Sequence, residues 1–231
     1  MARFVVAIDG GAGSGKSTTA KAVARRLDFL YLDTGAMYRA VTLKYIQCGG
    51  DPESIDMPLI EEIITNTSID LRQKDDKTSV YLDENEVTSE IRKPPVNTLV
   101  SPISAIPAVR IWMVGKQREV AKEKNVVCEG RDIGTVVFPD AQVKIFMQAD
   151  LKERARRRLK ELAEKKVDVT FNEVSKNLKF RDDFDSSRSH SPLKKADDAI
   201  VVDTTDLTID QEIDLVEKIV RERLENRTRG L

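Results

Sequence analysis

The most specific chemical signal in the sequence is GGAGSGKS at residues 10–17. It fits G-x-x-x-x-G-K-[ST], in which the backbone N–H groups of a glycine-rich loop and the following helix N-terminus surround phosphate oxygens. This pattern predicts that Lys16 reaches the β and γ phosphates of a nucleoside triphosphate and that Ser17 coordinates magnesium. The predicted nucleotide-binding residues are Gly10, Gly11, Ala12, Gly13, Ser14, Gly15, Lys16, Ser17 and Thr18.

Arginines in three turns form a second set of candidate phosphate ligands. They occur in DTGAMYR at residues 33–39, EGRDIGT at 129–135 and RDDFDSSR at 181–188. An acceptor phosphate is already anionic, so its reaction needs charge neutralisation and in-line positioning, which bidentate arginines supply. The DxxG and NKxD segments of a GTPase switch do not occur in the expected places. The sequence therefore favours a phosphotransferase over a GTPase switch.

Short apolar runs that alternate with helical patterns would position these turns. Strands are predicted at residues 3–9, 29–32, 126–128, 143–147 and 199–202. Helices are predicted at residues 16–27, 36–47, 58–66, 109–124, 151–165, 170–184 and 208–225. Buried strands that alternate with helices indicate an α/β fold with a parallel sheet covered on both faces.

The pattern changes between residues 67 and 87. SIDLRQ and TSVYLD alternate apolar with polar residues around a DDK turn, and a DEN turn and EVT follow. Alternation with period two and polar turns is typical of antiparallel strands. We therefore predict a small antiparallel insertion beside the parallel sheet.

Taken together, these motifs resemble the nucleoside monophosphate kinases, and specifically the bacterial cytidylate kinases. The resemblance covers nearly the whole chain, and DTGAMYR, GRDIGTVVFPDA and RDD-x-x-x-S-R are more specific than the glycine loop alone. It implies a single P-loop kinase domain over residues 1–231 with a five-stranded parallel sheet. It also implies an acceptor-binding lobe at residues 36–108, which contains the insertion at 67–87, and a short lid at residues 151–168.

The resemblance also implies roles for individual residues. Thr34, Arg39 and Arg131 would hold the acceptor phosphate, and Ser101, Arg110 and Asp132 would read cytosine. Contacts to the acceptor ribose and phosphate would come from Arg181, Asp185 and Arg188. The implied catalytic residues are Lys16, Arg131, Asp132 and Arg157, with Arg157 moving from the lid onto the transferring phosphates.

Two positions depart from the family pattern. Thr34 stands where serine is also found, and it keeps the hydroxyl group. Glu129 stands where aspartate often occurs, so no magnesium role is assigned to it. The remaining lid arginines, Arg154, Arg156 and Arg158, are interpreted as the solvated face of an amphipathic helix.

The implied reaction is transfer of the γ-phosphoryl group of ATP, with Mg²⁺, to CMP or dCMP.

The 38 basic and 39 acidic residues nearly cancel, which disfavours a nucleic-acid partner. Residues 94–109 are free of charge but contain four prolines, which disfavours a membrane span. Cys48 and Cys128 lack metal or redox spacing, so we expect reduced thiols, as in a cytoplasmic protein. We also expect the enzyme to be a monomer.

Three alternatives stay open at this point. The first is another small-molecule P-loop kinase, for uridylate or a metabolite, which a panel of monophosphate acceptors would distinguish. The second is a nucleotide-dependent switch that binds a protein partner, which would bind ATP without phosphorylating any monophosphate. The third, an RNA-binding protein, is disfavoured by the balanced charge.

Replacing Lys16 tests the assignment of the glycine loop. Lys16→Ala should lower turnover by several orders of magnitude, because the ammonium group neutralises phosphate charge in the transition state. The fold should survive, because backbone groups shape the loop. Steady-state turnover and circular dichroism of the purified variant measure both effects, and near-normal turnover would remove the assignment.

Overall fold

The computed structural model describes residues 3–74, 77–164 and 166–229. The chain divides into two compact units, one formed by Met1–Tyr31 and Lys124–Leu231 and the other by Leu32–Glu123. The second unit contains the whole of the acceptor-binding lobe predicted at residues 36–108, whose boundaries stay a prediction.

Eighteen elements of secondary structure follow one another in the described part of the chain. The strands are β1 (Val5–Gly10), β2 (Leu30–Asp33), β3 (Ile69–Lys74), β4 (Lys77–Leu82), β5 (Asn85–Glu86), β6 (Val126–Gly130), β7 (Val143–Gln148) and β8 (Ile200–Asp203). The α-helices are α1 (Lys16–Leu27), α2 (Thr34–Gln47), α3 (Met57–Asn66), α4 (Pro94–Ala105), α5 (Pro107–Val120), α6 (Leu151–Glu164), α7 (Phe171–Ser187) and α8 (Ile209–Arg229). A 3-10 helix at Glu90–Arg92 and a π-helical turn at Ile133–Val137 complete the set.

A five-stranded sheet with the order β2-β6-β1-β7-β8 organises the first unit. The central strand β1 pairs in parallel with β6 on one side and β7 on the other. All six residues of β1 are buried, as expected for the apolar centre of a parallel sheet. The predicted α/β fold is therefore confirmed, and the carboxyl ends of β1, β6 and β7 meet at one edge.

Helices α1 and α8 pack against the sheet through small and β-branched side chains. Val23 of α1 and Val216 and Val220 of α8 join Val6 and Ile8 of β1 in one buried cluster. Close packing of this kind places the first turn of each helix at a fixed distance from the carboxyl edge of the sheet.

The second unit contains the three-stranded antiparallel sheet with the order β3-β4-β5. Its register pairs Ile69 with Leu82 and Leu71 with Val80, and these four apolar side chains are buried. The antiparallel insertion predicted from alternation is confirmed. Of the predicted DDK turn, Asp75 and Asp76 lie outside the described residues.

Helix α4 occupies a segment for which the sequence predicted no helix. Pro94 and Pro95 lie in its first turn, where a missing N–H breaks no hydrogen bond, and Pro102 lies inside the helix. Helix α5 starts at Pro107, directly after the break at Ile106. In the described ranges no single helix is long and apolar enough to cross a membrane. Taken together, α4 and α5 have the length and composition of a membrane span, but the pair is bent by 95°.

The start of α7 is fixed by a reciprocal pair of hydrogen bonds. The Glu173 backbone N–H donates to the Thr170 hydroxyl oxygen over 3.3 Å, and the Thr170 backbone N–H donates to the Glu173 carboxylate over 2.8 Å. Two N–H groups that the helix leaves without an intrahelical acceptor are thereby satisfied. This matters for the site because α7 carries Arg181 and Asp185.

Thr170→Ala should lower the free energy of unfolding by about 1 kcal/mol, the usual cost of losing an N-cap hydroxyl. Urea denaturation followed by circular dichroism measures the change. Thr65→Ala is the matched control, since the Thr65 hydroxyl only donates to the Glu61 carbonyl within α3. An equal loss in both variants would contradict the capping role.

Candidate active site

The glycine loop between β1 and α1 has a shape that only glycine permits at two places. Gly13 and Gly15 have φ of 76° and 90°, in the left-handed region. A Cβ atom added to Gly15 would lie 2.3 Å from a carboxylate oxygen of Glu212. The loop is therefore fixed both by its own backbone and by what packs beneath it.

Helices α6 and α7 hold the loop on one side. The Ala12 methyl group is buried in a cluster with Ala155, Val174 and Leu178. The Ala12 N–H donates to the Asp182 carboxylate over 3.3 Å, while Arg154 donates to the Ala12 carbonyl over 3.1 Å and to Asp182 over 2.5 Å. Both peptide groups around Ala12 are thus tied to side chains.

The interpretation of Arg154 as part of a solvated face is wrong. Its side chain is 12% exposed against the loop, whereas the side chain of Arg156 is 70% exposed. A sequence signal was available, because Arg154 lies three residues after Leu151 and beside the apolar stripe of α6. Sequence reasoning also assigned no role to Asp182 and missed its contact with the loop.

Residues from β8 and α8 hold the other side of the loop. The Thr204 hydroxyl lies 3.1 Å from the Ser14 carbonyl, and the Thr19 hydroxyl donates to Glu212 over 3.3 Å. Glu212 is 1% exposed, and burial raises the pKa of its carboxyl group. The opposing charge of Arg157, which donates to Glu212 over 2.8 Å, favours the ionised form.

Arg157 is fully engaged by this network. Besides Glu212, it donates to the Thr204 carbonyl over 2.6 Å, the Leu207 carbonyl over 3.2 Å and Glu153 over 3.2 Å. The arrangement joins the predicted lid helix α6 to the start of α8. Movement of Arg157 onto transferring phosphates would require these bonds to break, and it stays a prediction.

Three polar side chains lie at the junction of the glycine loop, α1 and β6: Lys16, Ser17 and Glu129. The Lys16 ammonium group donates to the Gly11 carbonyl over 3.1 Å, which places it across the mouth of the loop. The Ser17 hydroxyl donates to the Glu129 carboxylate over 2.8 Å, and the Tyr31 hydroxyl donates to the other oxygen over 2.6 Å. The sequence assigned no role to Glu129, yet its place at the end of β6 puts it beside Ser17.

A buried carboxylate at the end of β1 shapes the turn that carries Arg131 and Asp132. Asp9 accepts hydrogen bonds from the N–H groups of Ile133, over 2.7 Å, and Gly134, over 2.8 Å. Burial raises the pKa of Asp9 from its ordinary value of 3.8 to about 6, and the negative charge of Asp132 adds to this increase. The two N–H groups and Arg131 oppose the increase.

Two of the predicted phosphate ligands, Arg131 and Arg188, meet at Asp185, and the charge of Arg131 also acts on Arg181. Arg131 donates to Asp185 over 2.7 Å, and Arg188 donates to its other oxygen. Burial lowers the pKa of Arg131, and it lowers the pKa of Arg181 to about 10 with help from the positive charges of Arg131 and Arg158. Within the described chain Arg181 has no hydrogen-bonded or ion-paired partner.

The other predicted acceptor residues lie in the second unit. Thr34 is the buried first residue of α2, and Arg39 donates to Asn97 of α4, the helix that also carries Ser101. Arg110 of α5 is buried. It donates to the Ser104 carbonyl over 3.0 Å and lies 5.2 Å from the centre of the Tyr38 ring. Asn97 and Tyr38 were missed from the sequence: Asn97 belongs to no recognisable motif, and Tyr38 lies within DTGAMYR but was assigned no role.

A parallel sheet whose first strand runs into a glycine loop, with lysine, serine and clustered arginines at its carboxyl edge, defines a P-loop kinase. Residues 6–222 match the family model described as cytidylate kinase. The chain belongs to the cytidylate kinase family.

Relatives with that name are similar over almost their whole length. A cytidylate kinase of Fusobacterium nucleatum is 49% identical over 218 residues, which cover 94% of this chain and 97% of the relative. One of Caldanaerobacter subterraneus is 49% identical over 216 residues, with 94% of each chain covered. A third, of Salinibacter ruber, is 46% identical and covers 92% of this chain and 95% of its own.

Solved structures support the fold alone. An uncharacterized protein from Eubacterium ventriosum superposes with a TM-score of 0.52 at 15% identity, covering 95% of this chain and 99% of that one. At such low sequence identity only the shared architecture can be inferred. The family assignment therefore rests on the sequence comparisons.

The raised pKa of Asp9 predicts a pH-dependent contribution to stability. Because the folded chain holds a proton on Asp9 up to about pH 6, its contribution is full below about pH 4 and is lost as the pH rises through 6. The loss amounts to about 3 kcal/mol for a shift of roughly two pKa units. The stability of the protein relative to Asp9→Asn should therefore fall between pH 4 and pH 6.

Urea denaturation of both proteins at several pH values measures this difference. Asp198→Asn is the control, because the exposed Asp198 carboxylate accepts from Lys144 and its pKa is lowered. A difference between the protein and Asp9→Asn that stays constant with pH would show that folding does not raise the pKa of Asp9.

Proposed function

We propose that this chain transfers the γ-phosphoryl group of ATP to CMP or dCMP, forming ADP and CDP or dCDP. The observation that carries the proposal is the set of Arg131, Arg181 and Arg188, which are largely removed from water, with no hydrogen-bonded or ion-paired partner for Arg181 among the described residues. Desolvated cations that repel one another are stabilised when a phosphate binds between them. The family membership of the chain names the acceptor.

The donor half of the reaction follows from the loop. Its backbone N–H groups and the N-terminus of α1 bind phosphate oxygens, and Lys16 neutralises the charge that shifts during transfer. Because Ala12, Ser14 and Gly15 are each fixed by neighbours, these groups need little rearrangement when ATP binds. Arg154 and Asp182 serve the reaction by holding the loop and need not touch the nucleotide.

The residues present fit a magnesium ion that arrives with ATP. Outside the few undescribed positions, no three acidic, histidine or cysteine side chains group so as to hold a metal ion by themselves. Mg²⁺ typically takes one or two protein oxygens and completes its coordination with phosphates and water. Ser17 and Glu129 would hold the ion through such oxygens, and it would neutralise the charge of the donor phosphates.

The acceptor half needs positioning more than proton transfer. The CMP phosphate is an anionic nucleophile, so the chain requires no general base. We propose that Arg131, Arg181 and Arg188 neutralise it, and that Asp185 orients Arg131 and Arg188. Asp185 was predicted, with Arg181 and Arg188, to contact the acceptor ribose and phosphate, and its carboxylate oxygens accept hydrogen bonds from Arg131 and Arg188.

Base recognition is proposed for Asp132, together with Ser101 and Arg110 of the second unit. Asp132 is 3% exposed, in the turn that Asp9 organises. A buried carboxylate can accept a hydrogen bond from the exocyclic amine of cytosine, and uracil has a carbonyl there instead. Thr34 and Arg39 are proposed to bind the acceptor phosphate from α2.

We further propose that the enzyme acts as a monomer in the cytoplasm. The two cysteines lie in unrelated segments and are not spaced for metal or disulfide chemistry, which suits a reducing compartment. Light scattering after size-exclusion chromatography determines the oligomeric state.

Asp132 gives the test of base choice. The enzyme should prefer CMP to UMP by at least about tenfold in kcat/KM, because an unpaired buried polar group costs about 1 to 3 kcal/mol. Asp132→Asn should lower activity with CMP and narrow the CMP to UMP ratio, because its amide can donate to the uracil carbonyl. Steady-state kinetics with both acceptors measures the ratio.

Asp183→Asn is the control for this substitution, since Asp183 is exposed on α7 and pairs only with Lys179. It should leave both activities unchanged. An unchanged ratio in Asp132→Asn would move Asp132 from base recognition to positioning Arg131. Absence of phosphoryl transfer to any monophosphate would exclude the kinase proposal itself.

A further inference from the structure

Tyr31 contacts the magnesium and nucleotide site without a role in the reaction described above. Its hydroxyl donates to Glu129 over 2.6 Å, on the carboxylate oxygen opposite the one that accepts from Ser17 over 2.8 Å. Glu129 is 3% exposed, so these contacts are shielded from water. The three side chains form a line that runs from β2 through β6 to the start of α1.

We propose that Tyr31 is a positioning residue for the magnesium–nucleotide complex: its hydroxyl fixes the Glu129 carboxylate so that its other oxygen stays beside Ser17. The inference rests on the proposed function, because it assigns a role at the same site. Tyr31 touches neither nucleotide nor metal in this proposal and acts only through Glu129.

The Tyr31 hydroxyl is a rigid donor. The ring is 6% exposed and lies in the buried cluster that also contains Phe4 and Phe29. Glu129 belongs to β6, where its backbone is paired with Ile8 of the central strand. Both ends of the hydrogen bond therefore rest on the sheet, which allows less movement than a loop would.

Glutamate needs such a partner more than aspartate would. It has one more methylene group, and its last torsion angle is only weakly restricted. Glu129 also attracts Arg131, whose charge it stabilises. Without the Tyr31 hydroxyl, rotation of the carboxylate toward Arg131 would take it away from Ser17.

The choice of a phenol also preserves the charge that a metal ion needs. Tyrosine donates a neutral hydrogen bond, so Glu129 keeps its negative charge, which a second arginine would cancel. Ser17 uses its single hydrogen for Glu129, and its lone pairs remain available to a cation. The contacts thus present an anionic oxygen and a hydroxyl oxygen side by side.

Tyr31→Phe is a direct test, because it keeps the ring in the core and removes one oxygen. Calorimetric titration with ATP should show about tenfold weaker binding at saturating Mg²⁺, equivalent to about 1.4 kcal/mol. In excess EDTA the affinity for ATP should change by less than about twofold, because the loop itself is intact. Thermal unfolding of the variant reports its fold separately.

Two further variants separate positioning from structural damage. Tyr45→Phe removes another buried hydroxyl, which donates to the Asp51 carbonyl, and it should not change the magnesium-specific affinity. In a Glu129→Gln background, Tyr31→Phe should have no further magnesium-specific effect, because the anionic oxygen is already lost. Non-additive effects of this kind are the signature of residues that act through one another.

Three outcomes would overturn the inference: no change in Tyr31→Phe, equal weakening with and without Mg²⁺, or a magnesium-specific loss that persists with Glu129→Gln. A failure of the proposed function would look different. In that case the unaltered protein would show no binding of ATP with Mg²⁺, whatever the residue at position 31.

Discussion

Positive charge held out of water at the carboxyl edge of the parallel sheet is the constraint on which the site depends. Arg131 and Arg181 are desolvated and repel each other, and this lowers the pKa of Arg181. Partly buried cations are tolerated only where anions lie near them. Asp185 supplies that charge to Arg131 in the folded chain, and we propose that the acceptor phosphate supplies the remainder.

The same constraint explains why so many carboxylates lie within a short distance of the loop. Asp182 neutralises Arg154, Glu212 neutralises Arg157, and Asp9 fixes the turn that carries Arg131. Each carboxylate also binds a peptide group or hydroxyl of the loop or its neighbours. Charge balance and loop geometry are thus provided by the same side chains, which makes the site preorganised for a polyanion.

The sequence predicted the parts of this structure that local pattern determines. Apolar runs predicted the five strands of the parallel sheet, and alternation predicted the antiparallel insertion. The glycine loop and the arginine turns predicted a phosphotransferase. The sequence did not predict α4, because prolines normally argue against a helix, although those in its first turn cost no hydrogen bond.

Contacts made across long sequence separations were also beyond sequence reasoning. Glu212 is 193 residues from Thr19, and Tyr31 is 98 residues from Glu129. Nothing in the residues around Glu212 marks it as lying beneath Gly15, since only the packing of α8 on α1 brings it there. Arg154 is different, because its position beside the apolar stripe of α6 was a sequence signal that its side chain is partly buried.

The two thiols differ in exposure, so their rates of labelling can measure how often the centre of the parallel sheet opens. Cys48 is exposed at the end of α2, whereas Cys128 lies buried in β6, paired with Ala7 of the central strand. A thiol reagent therefore meets Cys48 directly and reaches Cys128 only when the centre of the sheet separates. With reagent in excess, the slow labelling of Cys128 records the free energy of that separation, and the fast labelling of Cys48 calibrates the reagent.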